Sequence, residues 1–199
     1  MNDCPYAYYI HCFAHHLQLV LVKTSKQVVP INGFFLKLLL MIKIVNALCK
    51  RYEQLKVTNA NEIARLIDFE ELETRSGLNQ ISTLQQLVET HWSSHFRSVF
   101  SLLRMFTPTC EVLLNIIDDA SDGEHQAETE LAYDGLNSFE FVFILHLKKE
   151  TMEIANKLCQ ALQRQSQDIL NAMHLVSFTK ALIQKFKDDG WDCLLAIMI

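Results

Sequence analysis

The stretch Tyr8-Tyr9-Ile10-His11-Cys12-Phe13-Ala14-His15-His16-Leu17-Gln18-Leu19-Val20-Leu21-Val22 decides how this chain is read. Its opening residues are aromatic and β-branched, which suits a short strand over Tyr6 to His11. From Phe13 the period changes, and Phe13, Leu17, Val20 and Leu21 fall on one helical face. Leu19 and Val22 add apolar character to the other side, so the spacing predicts a helix buried nearly all round. Cys12 and His15 form a Cys-x-x-His arrangement at the expected strand-to-helix junction, between His11 and His16. Such a pair could supply two zinc ligands. Adjacent strand positions point to opposite faces and no second ligand pair lies at finger spacing, so packed, hydrogen-bonded side chains are expected there and no zinc.

Working outward, the next landmark is Gln27-Val28-Val29-Pro30, where Pro30 breaks whatever precedes it. Ile31, Phe34, Phe35, Leu38, Ile42, Val45, Cys49 and Tyr52 then recur at helical spacing, predicting one long core helix. A shorter helix is expected over Asn61 to Leu72, followed by a loop from Glu73 to Gln86. Ser93 or Ser94 is placed to cap a helix carrying Phe96, Val99, Phe100 and Leu103. Thr107-Pro108 ends that helix and opens another, with Val112, Leu113, Ile116 and Ile117 inward. Residues 118–134 hold seven acidic residues and no Lys or Arg, a composition expected of a solvated, flexible loop. Two long helices should follow. The first, Ser138 to Gln165, carries the stripe Ile154, Leu158, Leu162. The second, Ser166 to Asp189, buries Ile169, Met173, Val176, Ile183 and Phe186 and stops at Gly190. The fold class is therefore mainly α, with one short N-terminal strand.

Composition narrows the possibilities. The 199 residues include only 5 Gly and 3 Pro, which disfavours a turn-rich β fold. The six cysteines are scattered without framework spacing, as in a reduced intracellular compartment. Lys37 and Lys43 interrupt the apolar run Phe34 to Val45 well short of the roughly 20 residues of a membrane span, so no membrane partner is expected. The net charge of −5 hides an asymmetry. Up to Ala60, seven basic residues face two acidic ones; the remainder holds 11 basic and 21 acidic. A basic first third suits a nucleic-acid face, with Lys23, Lys26, Lys50 and Arg51 as phosphate contacts.

Three motifs carry a family resemblance. The run Ile10 to Leu19 resembles the Cys-x-x-His element of hAT-superfamily transposases, most of all plant proteins related to zinc finger MYM-type proteins and TTF-type zinc finger proteins with a hAT dimerisation domain. Glu89-Thr90-His91-Trp92-Ser93-Ser94-His95 resembles the family's Thr-Arg-Trp-x-Ser motif, and Lys187-Asp188-Asp189-Gly190-Trp191-Asp192 agrees in order and type. The resemblance implies that residues 1–24 end a ribonuclease-H-like core and that residues 25–199 form its helical insertion region. It implies a nuclear protein whose Trp92 stacks on a DNA base, with Cys12, His15 and His91 as further nucleic-acid-binding residues. His91 stands where the family has Arg and removes a permanent cation. The parent family holds Mg or Mn on three acidic residues, and by resemblance all three lie outside this sequence. The expectation is a truncated or domesticated, catalytically inactive protein without cofactor that retains some DNA binding. The alternative is a helical module that binds proteins through apolar helix faces.

Overall fold

The computed structural model describes residues 13–47, 49–68, 84, 92–120, 122–163 and 169–197. The expected strand Tyr6 to His11 lies outside them. Among the described residues the regular structure is entirely helical. The helices are α1 (Phe13–Gln27), α2 (Val29–Asn46), α3 (Cys49–Asp68), α4 (Trp92–Arg104), α5 (Phe106–Asp119), α6 (Gly123–Asn137), α7 (Phe139–Leu162) and α8 (Ile169–Ile197).

Two helices organise the packing. The first, α2, touches α1, α3, α5, α6 and α7. It inserts Phe34, Phe35, Leu38, Met41, Ile42 and Val45 into the core, where the Phe34 and Phe141 rings lie 4.8 Å apart. By length and composition α2 could cross a membrane, yet here its apolar residues are spent on neighbouring helices. The second organiser, α7, touches α1, α2, α4, α6 and α8. The last helix, α8, touches only α7 among the described helices.

Several boundaries follow local chemistry. Val28 is extended and Pro30 sits in the first turn of α2, where its missing N–H costs nothing. Ser138 caps α7 by accepting from the Phe141 N–H at 3.3 Å. The chain turns by 80° between α4 and α5 at Met105, and Thr109 donates to the Met105 carbonyl at 2.6 Å.

Other expectations are corrected. The single long helix through Tyr52 is two helices, broken at Ala47. No Gly or Pro marks the site. Tertiary packing sets it, because α3 must fold back to reach α5. The expected loop at 118–134 is largely the end of α5 and the helix α6. Asp122 caps α6 by accepting from the Glu124 N–H at 3.2 Å. Glu124 adds a carboxylate to the first turn, where the helix dipole favours it. Thr129, Ala132 and Leu136 supply a buried face at spacings of three and four. Within the expected loop Glu73 to Gln86 only Leu84 is described; it is buried and without regular structure. Nor is α1 buried all round: Leu19 and Val20 are exposed while Ala14 and Val22 are buried. α4 already begins at Trp92, so Ser93 and Ser94 lie inside the helix. Gly190 does not stop α8, which continues to Ile197.

Candidate interaction surface

The described residues among those expected to hold DNA are spread over α1, α3 and α4. Cys12 and His91 lie outside the described residues, as does the side chain of Lys50. His15, Lys23 and Lys26 are exposed on α1. Arg51 is half-buried and donates from Nη1 to His125 Nε2 at 2.7 Å, so its charge is engaged within the fold.

Trp92 is only 4% exposed. α4 turns Trp92, His95, Val99 and Leu102 inward at helical spacing, and Trp92 belongs to the main apolar core. His95 meets the edge of Phe35, with ring centroids 4.6 Å apart. The indole face is therefore packed rather than presented, and its Nε1 finds no acceptor among the described residues. Among the described residues no three His, Cys, Asp or Glu side chains gather closely enough to hold a metal ion.

A polar feature that the sequence did not single out joins α7 to α1. Lys148 donates to Ser25 Oγ at 3.4 Å, with its ammonium 5.7 Å from the Phe35 ring centre. Burial pushes the Lys148 ammonium down to about 8. It likewise pushes the half-buried Cys110 thiol up to about 11, away from thiolate reactivity. A cleft of about 260 Å³ between the N-terminal ends of α2 and α7 is lined mainly by apolar side chains. Lys37 and Glu140 meet at its edge at 3.8 Å.

The surface with the clearest pattern is α8. Its inward residues Ala172, Leu175, Thr179, Leu182 and Phe186 alternate at steps of three and four and are half-buried or buried. Shifted by one residue runs a second series with the same steps: Ile169, Met173, Val176, Lys180, Ile183 and Lys187. Four of the five residues expected to be buried, Ile169, Met173, Val176 and Ile183, lie on this second series and face solvent; the fifth, Phe186, is on the inward row. Ile169 is 77% exposed, Met173 63% and Ile183 44%. Steps of three and four define a seam along which another helix can lie. α8 thus carries two seams, one filled by α7 and one open. Further along, Phe143 of α7 stacks on Trp191 of α8 with centroids 5.9 Å apart, and Phe139 on Phe143 at 6.0 Å. Trp191, 43% exposed, is the tryptophan that the surface presents.

No family model matches this chain, and no solved structure matches it.

Proposed function

We propose that this chain is a helical protein-interaction module that docks a partner helix along the open seam of α8. The observation that carries this reading is the row of exposed apolar side chains Ile169, Met173, Val176 and Ile183 on a helix that α7 alone supports among the described helices. Exposed apolar side chains aligned on one helix face mark a binding surface, whereas scattered exposed hydrophobics do not. Helix-in-groove recognition uses anchors at these spacings. The proposed ancestry is the insertion region of a hAT-type transposase, acting in the nucleus without a cofactor. The three motif resemblances support that ancestry, and the helical architecture is compatible with it.

DNA binding is the second reading. It is favoured by Lys23 and Lys26 on the outer face of α1 and weakened by the burial of Trp92. The test uses the whole chain and a fluorescent synthetic amphipathic helix of about three heptads. Docking should raise the peptide's anisotropy. Met173→Asp should abolish the rise, while Leu36→Asp, an exposed position on α2, should not. Binding untouched by Met173→Asp removes the seam from the proposal. A salt-sensitive DNA complex lost in a Lys23→Glu/Lys26→Glu variant would favour the second reading.

A further inference from the structure

The open seam is not apolar throughout, and its charges restrict what can fill it. Lys180 and Lys187 occupy seam positions one heptad apart, with Ile183 between them and Val176 and Met173 before them. Both are exposed, and neither forms an ion pair with any described residue. Asp188, on the outer edge of the seam, is held by Gln184, whose Nε2 donates to its two carboxylate oxygens at 2.8 and 3.0 Å. The seam thus combines four apolar anchors and two cations without a carboxylate of its own.

We infer that the occupant of this seam is an acidic amphipathic helix of a partner protein, its apolar stripe on Ile169, Met173, Val176 and Ile183 and its carboxylates seven residues apart on Lys180 and Lys187. This rests on the reading of α8 as a docking surface and adds the chemistry of the partner. A lysine at a seam position fixes register, because an ammonium in a helix–helix interface is tolerated where a carboxylate meets it. At a rise of about 1.5 Å per residue the two ammonium groups stand roughly 10 Å apart along the axis. Only one alignment of a helix with acids one heptad apart satisfies both while keeping its apolar positions on Val176 and Met173. A second copy of this chain fits poorly. In parallel, two α8 seams set Lys180 against Lys180 and Lys187 against Lys187; antiparallel, each Lys187 falls opposite the apolar Ile169 end, and neither direction supplies a carboxylate at seam positions.

The experiment compares two synthetic helices of about three heptads with identical apolar positions, one carrying Glu and the other Lys on the flanking positions. Each is titrated into the full chain at moderate salt. The Glu peptide should bind at least about tenfold more tightly, since attraction at two partly desolvated pairs is exchanged for repulsion. Lys180→Glu/Lys187→Glu should reverse the order, and Met173→Asp should abolish both complexes with helicity unchanged by circular dichroism. Equal affinity for the two peptides, with both lost in Met173→Asp, overturns the acidic partner and leaves the docking surface standing. Binding of neither peptide by a monomeric chain, or binding unaffected by Met173→Asp, overturns both. Self-association in sedimentation that Met173→Asp removes assigns the seam to a second copy and overturns the inference.

Discussion

Arg51 Nη1 donates to His125 Nε2 across 2.7 Å, joining α3 to α6 over 74 residues of sequence. An imidazole nitrogen accepts only when it carries no proton, so the other nitrogen, Nδ1, holds the proton of the neutral ring. That nitrogen lies 3.9 Å from Glu128 Oε2. A residue chosen from the sequence as a phosphate contact is thereby a tie between two helices that otherwise meet little.

Removing either partner should cost about 1 kcal/mol, the usual net worth of a part-buried hydrogen bond. Arg51→Ala and His125→Ala should each lower the urea midpoint, and the double variant should lose no more than the worse single one. Additive losses would show that the two side chains act independently. The same variants should leave any DNA affinity unchanged.

Trp92→Ala should destabilise the fold by about 3–5 kcal/mol, because it empties a core position that is 4% exposed. Trp191→Ala should cost no more than about 1.5 kcal/mol, the scale of one partly exposed stacking contact with Phe143. Equilibrium unfolding of the two variants tests the contrast. A fully stable Trp92→Ala would mean that the indole is not a core anchor.

What the sequence made legible was punctuation and period. Pro30 and Ser138 sit at helix starts, Thr107 and Pro108 lie in the first turn of α5, and the stripe through Leu158 lies on α7 as the spacing requires. What it hid depends on neighbours. Ala47 breaks a helix where neither Gly nor Pro stands, because the break serves the return of α3. Trp92 at a helix start satisfies both a presented ring and a packed one, and the contacts of α4 with α1, α5 and α7 decide between them. In α8 two stripes have equal periodicity, and no local rule says which of them α7 will cover. The acidic stretch did contain its helix signal, Asp122 with Glu124 two residues on, and composition obscured it.

Gly190 lies within α8, where alanine would normally gain about 1 kcal/mol of helix propensity. A Cβ placed there would lie 2.6 Å from Cδ2 and 3.2 Å from Cγ of Phe186, so the ring rests on the backbone that glycine leaves bare. Gly190→Ala should therefore lower the thermal midpoint in the native background and raise it in a Phe186→Ala background. The same sign in both backgrounds would dissociate the two residues.

Lys148 gives a pH dependence with a definite sign. Its ammonium sits between α1 and α2, donating at 3.4 Å to Ser25, and burial alone moves it from 10.5 down to about 8. Below about pH 8 both the folded and the unfolded chain carry the charge, and folding pays the full cost of burying it. Between about 8 and 10.5 the unfolded chain holds more protons than the folded one, so stability rises with pH through that window and levels off above it. The shift corresponds to a ceiling of about 3 kcal/mol, reduced to roughly 1–2 by the exposed part of the side chain. Lys148→Met keeps most of the volume and removes the charge. It should be more stable than the native chain at pH 7 by about that amount, and the advantage should vanish by pH 10.5. Urea unfolding of both proteins at pH 7, 8.5 and 10 separates this effect from other groups that titrate in the range, because only the difference between the two curves is read. A difference that stays constant from pH 7 to 10 would mean that the Lys148 ammonium is as well solvated in the folded chain as in the unfolded one.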